Sequence, residues 1–228
     1  VFTKIEPFAE YGFNKSHAAA YALIAYQTAY LKTYYKEDFI AATMSTELTN
    51  TSKLREFVEE LKKLKIEIVK PSINKSFSDF KALEGKIFYG LGAIKNVGFE
   101  AISNIINERE KNGKFKSFVD FVNRVNSKDV NKLQLEGLVK AGAFDKLNSN
   151  RQALFESIPN IIAKSKNIFD NKSTNQIDLF SEDESAQDDL LIKTEDWKFE
   201  ERLSKEFEAV GFFISDHPLN QFTEIFND

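Results

Sequence analysis

The sequence predicts a mainly helical α+β protein with one small sheet. Long stretches free of Gly and Pro repeat apolar residues at three- and four-residue spacing, the signature of amphipathic helices. Only residues 66–89 break that pattern, with short β-branched and aromatic runs. The charge also divides. Residues 1–166 hold 26 Lys+Arg and 19 Asp+Glu (+7), residues 167–228 hold 5 and 16 (−11), and the two sum to the −4 of the whole chain. A basic body with an acidic tail suits a protein that holds a polyanion with one part and leaves the other free.

A 228-residue chain with 42% hydrophobic residues can bury a real core, here relying on 22 Phe against one Trp and one Met. The absence of Cys excludes a disulfide framework and thiolate metal sites, and it fits a reducing cytoplasm. No apolar run is long enough to cross a bilayer and no signal peptide is present, so no membrane partner is expected. A first residue of Val1 rather than Met suggests a piece of a longer polypeptide.

The strongest helix signal runs from His17 to Tyr35, Ala-rich and without Gly or Pro, after the breaker Gly12 and the cap candidates Asn14 and Ser16. Ala18, Ala22, Ala25 and Ala29 line one face with methyl groups, which lets a neighbouring backbone or a bound polymer come close. Lys15, Ser16 and His17 fall at its N-terminus, where free N–H groups favour an anion. Asp38–Leu48 continues helical, and Thr49–Ser52 is rich in cap residues. Leu54, Phe57, Val58, Leu61 and Leu64 then mark an amphipathic helix. Ile66–Val69, Phe77–Phe80 and Lys86–Tyr89 read as three short strands, the last two joined around Glu84-Gly85.

Leu91-Gly92-Ala93-Ile94-Lys95-Asn96-Val97-Gly98 leads into Ala101, Ile102, Ile105 and Ile106, the pattern of a short helix, a tight hairpin and a second helix. Such a hairpin turns backbone N–H groups toward phosphate oxygens, Gly98 removes a Cβ that would hold a phosphate away, and Lys95 adds a charge. Contacts of this kind grip DNA without reading bases. An ordinary packing corner fits the same spacing. Phe115, Phe118, Val119, Phe121 and Val122 predict the next helix, Asn131–Val139 another closed by Gly142, and Arg151–Ile158 a third that Pro159 kinks or ends. Asn167–Thr194 loses hydrophobic periodicity and reads as a flexible acidic linker. Inside it, Gln176-Ile177-Asp178-Leu179-Phe180 is an apolar anchor with no local core to join, which makes it a candidate recognition motif. Trp197–Val210 predicts a last amphipathic helix. His17 and His217 stand far apart with no carboxylate at ligand spacing, so no metal site is expected here.

The run Phe13–Tyr21 with Tyr26–Lys32 closely resembles the fingers region of the C-family replicative DNA polymerases of bacteria, the polymerase III catalytic subunits. The hairpin, the run Asn131–Asp145, the Gln-x-x-Leu-Phe word at 176–180 and the stretch Gly211–Leu219 are similar to later parts of the same family, in the same order. Where the family pattern usually has Gly, this chain has Asn96, which tolerates left-handed backbone better than most residues. The resemblance implies four parts: residues 1–88 as the end of the fingers with the small sheet, 89–166 as a helix–hairpin–helix DNA-binding module, 167–194 as the linker with a sliding-clamp motif, and 195–228 as a helix leading toward an absent OB domain. It implies template-directed nucleotidyl transfer in DNA replication. The implied partners are primer–template duplex, deoxynucleoside triphosphates, the sliding clamp and other polymerase III holoenzyme subunits. Lys15, Ser16 and His17 would lie near the nucleotide or primer, Gly92, Lys95, Asn96, Val97 and Gly98 on DNA, and residues 176–180 on the clamp. The implied Mg²⁺ would be bound outside this chain, since no Asp-x-Asp pair occurs in it, and the chain alone would carry no catalytic centre. A non-catalytic clamp-docking adaptor and a repair protein with a hairpin module are the other readings; neither accounts for the Phe13–Lys32 run.

Overall fold

The computed structural model describes residues 15–126, 128–173 and 190–222. Helix α1 (Lys15–Tyr34) leads into α2 (Lys36–Thr46) and α3 (Thr51–Leu64). Strands β1 (Ile68–Val69), β2 (Lys81–Leu83) and β3 (Lys86–Phe88) follow, then a 3₁₀ turn (Leu91–Ala93). Helices α4 (Phe99–Asn112), α5 (Phe118–Arg124), α6 (Lys132–Lys140), α7 (Arg151–Ser173) and α8 (Phe199–Val210) complete it, with a final 3₁₀ turn at Pro218–Phe222. The mainly α architecture with one small sheet is the one the sequence predicts.

Helix α1 starts at Lys15, so Ser16 falls inside it rather than at the cap, and Asn14 lies outside the described residues. Among the described residues its Ala face stays largely uncovered, with Ala22, Ala25 and Ala29 exposed, and so are Tyr21, Leu23, Ile24, Tyr26, Tyr30, Leu31 and Tyr34. The helix is held by its junction with α2 and by an ion pair from Lys32 to Glu60 of α3 at 2.7 Å. Helix α3 begins as its sequence demands. Asn50 accepts the Lys53 N–H, and Leu54, Val58 and Leu61 turn inward.

The sheet has order β1-β3-β2, with β1 parallel and β2 antiparallel to β3. One strand differs from expectation. The chain at Phe77–Phe80 is not a strand; β2 lies just after it. Glu84 and Gly85 both have positive φ (53° and 71°), as a two-residue type I′ turn requires. So short a turn pairs Leu83 with Lys86 and makes the residues next to it the strand. The Phe77 and Ser78 carbonyls instead accept the N–H groups of Leu91 and Gly92. The predicted strand at 66–69 shortens to its last two residues.

Helix α7 also departs from expectation. It runs through Pro159 to Ser173, into the stretch read as linker. Leu154, Ile158 and Ile161 are buried on both sides of the proline, so burial holds the helix together across a missing N–H. The motif 176–180 lies outside the described residues. One hydrophobic cluster gathers side chains from Ile40 through Tyr89, Phe115, Phe144 and Leu154 to Phe212. Phe144 meets Phe118 and Phe121 edge to face within it, while Phe118 and Phe121 stack on each other.

Candidate nucleic-acid interface

The hairpin between the first 3₁₀ turn and α4 is fixed from three sides. The Leu91 and Gly92 N–H groups bind the 77–78 segment, and the Lys95 N–H donates to the Ala209 carbonyl of α8 at 2.9 Å. The third side is α6, whose Gly137 passes directly beneath. A Cβ there would lie 2.9 Å from the Lys95 carbonyl oxygen, so the close approach needs glycine. Leu91, Ala93, Ile94 and Val97 are buried and anchor the turn. Its first helix is therefore only a 3₁₀ turn, shorter than the sequence pattern suggests.

What remains outside is the tip. Lys95, Asn96, Gly98, Phe99 and Glu100 are exposed. Asn96 has φ +65°, the left-handed conformation its side chain tolerates. Gly98 is extended (φ −74°, ψ 150°) and precedes the first residue of α4 without a side-chain cap. Among the described residues, no backbone carbonyl accepts the N–H groups of Asn96, Gly98 or Phe99. They lie on exposed residues at the start of α4, where the helix dipole favours an anion.

The predicted hairpin residues separate into two groups. Lys95, Asn96 and Gly98 face outward. Gly92 has its N–H committed to Ser78, and Val97 turns its side chain inward against Gly137. Two neighbours carry a signal that the sequence pattern alone left unread. Gly137 is an isolated Gly inside a helical pattern, and Asn131-x-x-Gln134 is a capping-box spacing. Gln134 lines the hollow formed by Leu48, Thr49 and residues 92–98.

Lys15, Ser16 and His17 occupy the first turn of α1, and His17 stacks edge-on against Tyr21 at 4.5 Å. They belong to a different element from the hairpin. Tyr26, Tyr30 and Tyr34 extend an exposed aromatic row along the same helix. Among the described residues, no group of three or more His, Cys, Asp or Glu side chains could hold a metal ion. No described helix is long and apolar enough to cross a membrane.

A family model described as a helix-hairpin-helix motif matches residues 65–154, which include the sheet, the hairpin and α4 to α6. Three curated proteins named DNA polymerase III subunit alpha align with nearly the whole chain. The Borreliella burgdorferi protein is 45% identical over 226 residues, covering 97% of this chain and 20% of its own length. Those of Campylobacter jejuni and Caulobacter vibrioides are 43% and 42% identical, covering 98% and 96% of this chain and 19% of their own lengths. Over nearly its whole length the chain is similar to DNA polymerase III alpha subunits of bacteria. It spans 19–20% of the length of these relatives. The matches to the alpha subunits cover 96–98% of this chain, so α1 and the hairpin both fall within one matched stretch of polypeptide.

Proposed function

We propose that this chain is the segment of a DNA polymerase III alpha subunit that runs from the fingers through the DNA-binding hairpin to the clamp motif. The parent activity is template-directed nucleotidyl transfer in DNA replication, carried out in the cytoplasm. In that setting the hairpin grips the phosphate backbone of primer–template duplex. Residues 15–17 approach the incoming deoxynucleoside triphosphate or the primer end, and residues 176–180 attach the enzyme to the sliding clamp beside other holoenzyme subunits. On this reading the Mg²⁺ of such a reaction would be held by carboxylates outside this chain, whose sequence has no Asp-x-Asp pair. The segment's own contribution is positioning, not bond making.

One observation carries the reading. Among the described residues no backbone carbonyl accepts the N–H groups of Asn96, Gly98 and Phe99, which lie with the exposed Lys95 on a hairpin anchored by Ala209 and Gly137. Rigid free amides at a helix N-terminus suit a phosphodiester, and they carry no base specificity. Near-complete alignment with polymerase subunits, including α1, favours this over an adaptor or repair protein that shares only the hairpin.

The test is duplex binding by the full-length protein and its Lys95→Glu/Gly98→Val variant. The wild type binds without sequence preference and weakens steeply as salt rises. The variant loses this binding while its far-UV spectrum is unchanged. Equal binding by both proteins would make the hairpin a packing corner.

A further inference from the structure

Gln134 is oriented by a bond that decides which end of its amide faces the hairpin. In the capping box that starts α6, Asn131 Oδ1 accepts the Gln134 N–H at 3.1 Å and Gln134 Oε1 accepts the Asn131 N–H at 2.8 Å. Only an oxygen can accept from a backbone N–H, so the Nε2 amino group must turn the other way. On that side lies the hairpin: a Cβ built on Gly98 would stand 3.2 Å from Nε2. Among the described residues nothing accepts the Nε2 hydrogens, and Gln134 lines the same hollow as Lys95, Asn96 and Gly98.

We infer that Gln134 is a DNA-contacting residue, presenting its Nε2 hydrogens to the same phosphate that the Gly98 and Phe99 amides hold. The inference rests on the reading that the hairpin binds duplex, and it extends the site from one loop to two elements. A phosphodiester has two charged non-bridging oxygens, and amides at the start of α4 reach toward one side of it. Gln134 supplies fixed donors from α6 for the other. The capping bond holds the side chain in place before DNA arrives, so little rotamer entropy is lost on contact. Gly98 then has a second role, because a methyl group there would press on the Gln134 amide.

A neutral donor leaves a distinctive mark. Replacing a Lys that touches phosphate lowers the slope of log affinity against log salt, since fewer counterions are released, whereas losing a Gln contact weakens binding at every salt concentration with the slope unchanged. The experiment measures duplex affinity of the full-length protein over a salt series with four variants. Gln134→Ala is expected to weaken binding about three- to tenfold at unaltered slope. Gln134→Glu keeps an acceptor for the Asn131 N–H, since Glu serves the capping box as well as Gln, but puts an anion beside the phosphate; it should weaken binding by more than about tenfold. Leu133→Glu adds the same charge one residue away on an exposed side chain and should cost less than about threefold. Wild-type affinity in Gln134→Ala, or equal losses in Gln134→Glu and Leu133→Glu, would reduce Gln134 to a helix cap. Lys95→Glu/Gly98→Val separates the two levels. If it binds like wild type, the hairpin reading fails first; if it fails to bind while Gln134→Ala is normal, only the present inference falls.

Discussion

The α-carbon of Gly137 lies so close to the Lys95 carbonyl that a methyl group added there would stand 2.9 Å from the oxygen and 3.2 Å from Val97 Cγ2. In an ordinary helix interior, Gly→Ala stabilises by about 0.8–1.0 kcal/mol. Here the obstacle is backbone, held by the Lys95–Ala209 hydrogen bond, and it cannot swing away. Gly137→Ala should therefore reverse the usual sign and destabilise by about 1–3 kcal/mol in denaturant unfolding. It should also displace the hairpin tip and weaken duplex binding. A stabilised variant would mean that α6 and the hairpin separate easily.

That contact marks a limit on what the sequence could reveal. Local signals were legible: the cap at Asn50, the apolar stripe of α3, the Ala-rich α1, the left-handed Asn96 and the helix starting after Asn131 all follow from patterns a few residues long. Aromatic Phe77 and Phe80 mimic a strand, while the turn at Glu84-Gly85 places the strand at 81–83 and fixes its register. Pro159 argues for a kink or a helix end, but burial of Leu154, Ile158 and Ile161 carries the helix through it. Contacts such as Lys95 with Ala209, or Arg151 with Glu206, join residues far apart in sequence, and no local pattern names the partner.

Glu206 is one such partner and is almost wholly enclosed. One carboxylate oxygen accepts the N–H groups of Ile214 and Ser215, both at 2.8 Å, and the other faces the buried Arg151 guanidinium at 3.4 Å. Arg151 in turn binds Asp145 and the Lys140 carbonyl, tying α6, α7 and α8 together. Glu206→Gln would turn an amino group toward the guanidinium or the backbone donors, leaving a buried charge poorly matched. The expected loss is about 3 kcal/mol in chemical denaturation. Glu208→Gln, which breaks a half-exposed pair with Lys140, should change stability by less than about 1 kcal/mol. Similar effects for the two variants would contradict the burial argument.

Glu108 gives the fold a pH dependence with a defined sign. Burial pushes its carboxyl up, but hydrogen bonds from Arg124 and Asn112 and the charges of Arg124 and Lys111 outweigh this and hold it below its ordinary value. The Arg124 Nε lies 2.8 Å away, and the same guanidinium reaches Asp120 and the Gly113 carbonyl. A depressed folded value means the unfolded chain takes up the proton first as pH falls. The stabilisation is thus complete above the unfolded value of about 4.3 and is lost as pH drops through the lower folded value. The stability gap between wild type and Glu108→Gln should be about 1–2 kcal/mol at pH 6 and should close as pH is lowered past about 4. Urea titrations across that range measure it, and a constant gap would remove Glu108 from the acid response.

Lys15 tests the other exposed surface. It opens α1, a helix whose tyrosines and leucines remain exposed. If the proposed function holds, Lys15→Ala in the full-length protein should raise the KM for nucleotide or lower kcat by the equivalent of about 1–3 kcal/mol, the loss of a charged hydrogen bond. Thermal stability should be unaltered. Unchanged steady-state kinetics in a folded variant would leave α1 as a surface for packing alone.

The clamp motif yields the sharpest separation between partner and core. Leu179 and Phe180 form a compact apolar pair flanked by Glu182, Asp183 and Glu184, a setting that supplies charge on one side and no neighbouring apolar run to bury them. On the proposed reading, such an anchor would fill a pocket on the clamp with two side chains and hydrogen-bond at its rim through Gln176. Ordering the surrounding chain offsets much of the contact energy, so the full-length protein should bind the cognate sliding clamp with a Kd on the order of micromolar through this motif. Simultaneous DNA contact at the hairpin raises the effective concentration of motif and clamp, which turns weak binding into durable attachment. Leu179→Ala/Phe180→Ala should weaken clamp binding by at least about tenfold, or about 1.4 kcal/mol, in isothermal titration. On this reading the melting temperature should not move. A melting temperature that falls with unchanged clamp affinity would assign both side chains to the fold instead.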